Sequence, residues 1–371
     1  MPTAFDPIEV SGLTLNNRIA MAPLTRRRAY GPALSATPLM AQYYEQRASA
    51  GLIIGEAMQP SPIGQGYTFT PGMHSDDQAR SWTAVTDRVH RAGGHIFGQL
   101  QHAGRNSHPD LLPDGLHPVG PSAVAADGVV RVNTTGPAVR KPYPTPREMS
   151  PRDIDDTIED FASAAEKCIQ AGFDGVELHG AYGYLIHQFL SSNANLRTDG
   201  WGTTVTGRIR FAVELTDAVS DRIGAERLAL RVSPGCTAGG IDEDDLDEVY
   251  SALVDELPTD LAFVHVFEFP GHRELTRRLR RRWHGVLILN PHRTHDDWPS
   301  GPAQLDVVES GVADMVAFGS NFISNPDLVT RLRTGAPLTD ADHATFYLGD
   351  ERGYTDYPTL ADAAGRLMPL A

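Results

Sequence analysis

Short apolar runs and longer amphipathic stretches alternate along almost the whole chain. The runs, dense in Ile, Val, Leu and Ala, read as strands buried on both faces, and the stretches between them place apolar residues three and four apart, the spacing of a helix with one buried side. After a small hairpin over Val10–Asn17, strands are predicted at Arg18–Ala22, Leu52–Ala57, His95–Leu100, Phe173–His179, 228–233, 261–267, 285–289 and 313–318. Helices are predicted over Ala36–Ser49, Asp76–Arg91, Pro151–Gln170, 205–223, 242–257, 271–283, 301–310 and 326–334. Eight strands that each hand over to a helix predict an α/β fold, a closed (β/α)8 TIM barrel with an N-terminal hairpin. An open doubly wound sheet is the other arrangement, but no glycine fingerprint of dinucleotide type follows the first strand. Residues 1–371 read as a single barrel domain.

Residues 104–150 break the rhythm. They are rich in Pro and Gly, carry a candidate hairpin around Val129–Val132 and end at Pro142-Tyr-Pro-Thr-Pro146, a composition that argues against helix. A loop of this length after the third strand lies on the barrel's C-terminal face, so it is expected to cap an active site.

Charge and cysteine usage narrow the partners. Lys plus Arg is 32 and Asp plus Glu 47, so the net charge is 32 − 47 = −15, which argues against nucleic acid or an anionic membrane surface. Thr276–Trp283 is the one basic run, read mainly as a solvated helix face, with an anionic ligand or partner as the other reading. Cys168 and Cys236 lack metal-type spacing and read as two reduced thiols, and no metal site is expected. Neither a signal segment nor a membrane-spanning run is visible, so a soluble cytoplasmic protein acting on a small molecule, monomer or homo-oligomer, is expected.

The chemistry gathers in Phe173–Leu185, where an apolar strand breaks into a glycine-punctuated turn carrying His179, Tyr182 and Tyr184. If a helical turn starts directly after the strand, His179 and Tyr182 share a face. A lone buried histidine is most often a satisfied core residue. Here, however, the other strand ends supply company: Thr25, Glu56–Ala57, Gln99 and Gln101, Arg231, Asn290–Arg293 and Gly319–Asn321. Arg231 faces either a ligand that carries or develops negative charge, or an ion pair with a distant carboxylate such as Glu177 or Glu214.

Ten segments then carry a resemblance. Met21–Arg26, Gly55–Ala57, Gly64–Tyr67, Gln99–Arg105, Gly172–His179, Gly183–Leu185, Asn195–Asp199, Leu230–Pro234, Asn325–Leu328 and Thr345–Tyr347 occur in the order, and nearly in the wording, of the Old Yellow Enzyme family of FMN-dependent ene-reductases. The chain closely resembles that family from about residue 5 to 360. The resemblance implies FMN as cofactor, NAD(P)H as electron donor, and reduction of the activated C=C of an α,β-unsaturated carbonyl compound. It also implies that Pro23, Thr25, Ala57, Gln99 and Arg231 hold the flavin ring. His179 and Tyr182 would bind the substrate carbonyl oxygen, Tyr184 would protonate the α-carbon after hydride arrives from flavin N5, and Tyr67, Gln101 and Tyr347 would line the substrate pocket.

Four positions depart from the family. Tyr182 stands where His or Asn is usual, and Gln101 where Trp is common. Pro291–His292 replaces a Gly-Gly turn, and Gly319–Ser320 replaces Gly-Arg, so two contacts to the cofactor phosphate change together. Arg293, two residues beyond Pro291, is the expected replacement, with His292 or His295 beside it. These departures motivate an alternative: a barrel with weakened or lost FMN binding, acting as a non-redox isomerase or cyclase on an unsaturated carbonyl substrate.

Overall fold

The structure, a computed structural model, describes residues 2–132, 139–292, 294 and 299–362. Eight strands, β1 (Ile19–Met21), β2 (Leu52–Met58), β3 (Ile96–Leu100), β4 (Gly175–Gly180), β5 (Leu228–Val232), β6 (Phe263–Phe267), β7 (Leu287–Asn290) and β8 (Met315–Phe318), pair in parallel and in chain order. β8 returns to β1, so the sheet closes into a barrel and leaves no edge. Eight helices alternate with them: α1 (Pro38–Glu45), α2 (Asp76–Arg91), α3 (Pro151–Gln170), α4 (Val205–Ile223), α5 (Leu246–Glu256), α6 (Arg273–Arg282), α7 (Asp306–Glu309) and α8 (Leu328–Thr334). The expected (β/α)8 TIM barrel is the fold.

Alternation along each strand sorts the interior into layers. The inward residues at the lower end, among them Ala20, Ile54, Phe97, Ala229, Phe263, Ile288 and Ala317, form one apolar cluster, closed by Val10 and Leu15 from the hairpin of Ile8–Val10 with Leu13–Leu15. Gly175 belongs to this floor, since a Cβ there would lie 2.4 Å from Phe97 Cε2 and displace the ring. Two residues further up, the inward positions turn polar: Gln99, Glu177, Arg231, His265 and Asn290, all buried. The outward residues pack with the helices into the main core.

Helix starts follow their caps. Ser75 and Ser150 each form a capping box, with Gln78 and Asp153, directly before α2 and α3, and the predicted bounds of these helices and of α4 hold. The other five are shorter than predicted, and two of them show why. α5 starts at Leu246 instead of 242 because the backbone N–H and C=O of Asp242 bond to Asn193 Oδ1 and Ser191 Oγ. The 301–310 stretch is a 3-10 turn, Pro302–Leu305, running into α7, and it ends before Gly311, whose φ is 70°.

In the excursion, Val129–Val132 pairs antiparallel with Val139–Pro142, as the candidate hairpin required. Beyond α8 the chain comes back to the loop after β1: Arg26 Nε donates to Phe346 O at 2.8 Å, Arg26 Nη2 to Gly353 O at 2.9 Å and Arg28 Nε to Asp350 O at 3.1 Å. The Tyr43 and Tyr354 rings stack at 4.1 Å, with the Arg28 guanidinium over the Tyr354 ring and that of Arg47, just after α1, over the Tyr43 ring. The basic run is a paired helix face, with Arg278, Arg280 and Arg282 of α6 bonded to Asp247, Asp314 and Asp255. No helix among the described residues is long and apolar enough to cross a membrane.

Candidate active site

At the C-terminal ends of the strands a cavity of about 970 Å³ opens. Pro23 and Thr25 wall it after β1, Gln99 and Gln101 at β3, His179, Tyr182 and Tyr184 after β4, Arg231 on β5 and Gly319 and Ser320 after β8, with Tyr67 and Tyr347 at its sides. The sequence-predicted residues therefore share one compartment, with two exceptions. Ala57 is buried beyond a bulge in β2, in register with Gln99, and contributes nothing to the wall. Arg293 and His295 lie outside the described residues.

The turn after β4 is not helical, so the condition for His179 and Tyr182 to share a helix face is not met. The helix Leu185–Leu190 begins only after Tyr184, and Tyr182 has a left-handed φ of 55°, uncommon for a bulky residue. Surrounding hydrogen bonds enforce it: Tyr182 N donates to Ser233 Oγ at 3.0 Å, Gly183 N to His187 Nδ1 at 2.9 Å, and Asn106 Nδ2 to Gly183 O at 2.9 Å. His187 is itself held 3.2 Å from the buried Glu243 carboxylate. The turn still brings the three side chains together, with the His179 ring 6.3 Å from that of Tyr182 and 5.0 Å from that of Tyr184. The Tyr184 and Tyr67 hydroxyls are 2.9 Å apart.

Electrostatics keep the phenols protonated and the imidazole neutral. Burial, then the charge of Arg231, holds His179 well below its ordinary range. Burial and the Tyr67 hydroxyl raise the Tyr184 phenol well above its own, and burial pushes Tyr182 up likewise, although part of each ring faces the cavity. Arg231 resolves the choice left open above. It makes no ion pair among the described residues: Glu177 is bonded to Gln99 and His265, and Glu214 to Arg210 on α4. Its Nη2 reaches Asn290 Oδ1 at 3.3 Å, while its Nε and His179 Nδ1 are buried without a partner.

These groups fit a flavin. A buried guanidinium without a carboxylate suits a ring that accumulates negative charge, and Thr25 and Gln99 beside it add hydroxyl and amide groups for a polar ring edge. Ser320 and Asn321 also line the cavity and offer neutral hydrogen-bonding groups suited to phosphate, whereas the Ser300 hydroxyl donates to Pro291 O at 2.8 Å, with His292 Nε2 at 3.2 Å from the same hydroxyl oxygen.

Several cavity residues escaped the sequence reading. Arg27, whose Nε donates to Thr68 O at 3.0 Å, sits in the first loop next to residues that did stand out. Val130 and Tyr143 come from the excursion and Phe267 from the end of β6, where it packs at 4.7 Å against both Tyr182 and His292. The inward parity of 263, 265 and 267 was the signal available for Phe267.

Comparison with known proteins agrees with this geometry. Residues 3–339 match the model of the NADH:flavin oxidoreductase / NADH oxidase family. The chain is 37% identical to 12-oxophytodienoate reductase 7 of Oryza sativa subsp. japonica, over 98% of this chain and 96% of that protein. It is 40% identical to a probable flavin mononucleotide-dependent alkene reductase of Leishmania infantum, over 95% and 96%. Among solved structures, morphinone reductase in complex with tetrahydroNAD superposes with a TM-score of 0.90 at 40% identity, covering 97% of this chain and 98% of that one. The chain belongs to the NADH:flavin oxidoreductase family, the Old Yellow Enzyme family, and is an FMN-dependent oxidoreductase.

Proposed function

We propose that this protein is an ene-reductase, which reduces the activated C=C of an α,β-unsaturated carbonyl compound at the expense of NAD(P)H. Thr25, Gln99 and Arg231 bind the flavin ring, and Ser320 and Asn321 receive its phosphate end. When bound, FMN takes hydride from NAD(P)H and supplies it to the substrate β-carbon. Neutral His179 and the Tyr182 hydroxyl donate to the carbonyl oxygen, drawing electron density from the alkene. Tyr184 gives its proton to the α-carbon, and Tyr67, hydrogen-bonded to it, is the route by which that proton returns. The described residues of the 104–150 excursion form a cap on the same barrel domain, with Val130 and Tyr143 keeping water from the slot. An intracellular, cytoplasmic setting fits the two free cysteines and supplies the nicotinamide.

The observation that carries this reading is the buried Arg231 guanidinium, which forms no ion pair among the described residues, in one slot with His179 and Tyr184. The test is direct. The purified protein should be yellow, release FMN on denaturation and consume NAD(P)H on addition of 2-cyclohexenone, giving cyclohexanone. A colourless protein that does not take up FMN, or a product isomeric with its substrate formed without nicotinamide, overturns it. Neither the relatives nor the geometry favour the flavin-independent isomerase or cyclase.

A further inference from the structure

Beneath the slot, three side chains on β3, β4 and β6 form a hydrogen-bonded chain of which the roles above use Gln99 alone. Gln99 Nε2 donates to Glu177 Oε1 at 2.7 Å, and Glu177 Oε2 lies 2.7 Å from His265 Nδ1. Glu177 and His265 have no exposed surface, and Gln99 has 2%. Burying a carboxylate is costly unless it is neutralised or well hydrogen-bonded. Yet Glu177 forms no ion pair with Lys or Arg among the described residues. Arg231, which neighbours His179 on one side and His265 on the other in the barrel's register, turns instead to Asn290. One polar layer thus holds a carboxylate and a guanidinium without pairing them.

Gln99 is the side chain that gains from this arrangement. A primary amide can present either end to a neighbour, but a carboxylate only accepts, so it selects the Nε2 end. One N–H is thereby committed. Gln99 keeps its second N–H and its Oε1, a donor and an acceptor side by side in one plane, at the wall of the cavity. That pair complements an imide edge, in which an N–H is flanked by C=O, as on the pyrimidine side of a flavin. His265 fixes the other carboxylate oxygen. It does so as a neutral ring with its proton on Nδ1, since burial keeps it from charging and its Nε2 has no partner.

We propose that Glu177 and His265 are positioning residues for the cofactor: they lock the Gln99 amide in the one orientation that complements an imide edge, and the Glu177 charge opposes that of Arg231 at the ring. The proposal rests on the flavin reading, and the closing experiment separates the two. Apoprotein is titrated with FMN by fluorescence quenching, and the midpoint potential of the reconstituted protein is measured, with no substrate present. Losing a hydrogen bond to a charged group corresponds to about a tenfold weakening or more, so His265→Leu should weaken FMN by about that factor. His265→Asn, whose amide can donate to the same Glu177 oxygen, should regain most of it. In a Gln99→Ala background, His265→Leu should have no further effect, because its action runs through Gln99. Glu177→Gln, which makes both orientations of Gln99 acceptable and leaves Arg231 unopposed, should weaken FMN and move the potential in the positive direction; it also carries the test should His265→Leu not fold. A His265→Leu effect that persists undiminished without Gln99, or His265 and Glu177 variants that lower the melting temperature with FMN affinity and potential unchanged, overturns the positioning role alone. A wild-type protein that takes up no FMN overturns the flavin reading as well.

Discussion

Tyr184 can be separated from its neighbours by asking which half of the reaction needs a proton. Only substrate reduction does, because hydride transfer from NAD(P)H leaves the phenol a spectator. Tyr184→Phe should therefore slow reoxidation of the enzyme by an enone by about 100-fold or more, the usual weight of a general acid, and leave reduction by NAD(P)H nearly unchanged. Stopped-flow measurement of the two half-reactions decides it, and equal losses in both would remove Tyr184 from the proton-donor role. A second residue-scale effect belongs to Glu56. Burial raises its carboxyl to about 7 from 4.5, offset in part by the Arg26 backbone N–H and the Tyr44 hydroxyl. A carboxyl raised in the fold binds more protons folded than unfolded between those two values, so its contribution to stability falls as pH rises through that window. The shift corresponds to on the order of 3 kcal/mol. Between pH 5 and pH 8 the wild type should lose that much more stability than Glu56→Gln, as read by denaturant unfolding. Identical losses in the two proteins would show that Glu56 ionises freely in the fold.

At the scale of elements, the turn after β4 sets where the phenols point, and its geometry was the least legible part of the site. The sequence places an imidazole and two tyrosines within six residues. It contains no sign that Tyr182 is left-handed, because the causes lie elsewhere in the chain, in Ser233 after β5, Asn106 after β3 and His187 one turn on. Ser233→Ala removes the acceptor of the Tyr182 N–H, and a buried donor left without a partner costs about 1–3 kcal/mol. The turn can relax toward ordinary φ, so KM for the enone should rise while FMN affinity stays where it was. An unchanged KM, with only the melting temperature lowered, would mean that the turn holds its shape without Ser233. The helices were more legible, since Ser75 and Ser150 announce α2 and α3 by local capping chemistry alone. α5 was misplaced at its start because the residues that bind Asp242 come from the loop after β4.

Over the whole molecule, closure of the barrel turns a linear pattern into stacked layers. An apolar floor and a polar layer with one carboxylate and one guanidinium kept apart lie at successive inward positions of the same strands, and the loops beyond the strand ends add an aromatic and hydroxylic mouth. Alternation within each strand was visible in the sequence; which residues of different strands share a layer was not, since that depends on register across the closed sheet, as with Glu177 opposite Gln99. On the proposed reading, Thr25, Gln99, Arg231 and Ser320, at β1, β3, β5 and β8, would hold one cofactor between them, so its binding should stabilise the barrel as a unit. FMN at about 100 times its Kd should add about 2.7 kcal/mol, visible as a rise in the melting temperature of the apoprotein. Riboflavin, which shares the ring but has no phosphate, separates the two ends of the site. Where the family resemblance implies Gly-Arg this chain has Gly319–Ser320, and on the proposed reading Ser320 at the cavity wall would supply a neutral contact in place of a charged one. Ser320→Arg should therefore tighten FMN by about tenfold and leave riboflavin affinity unchanged, following the difference between charge-assisted and neutral hydrogen bonds. Equal tightening of both ligands would put residue 320 against the ring and not the phosphate, and would move the phosphate end of the site away from β8.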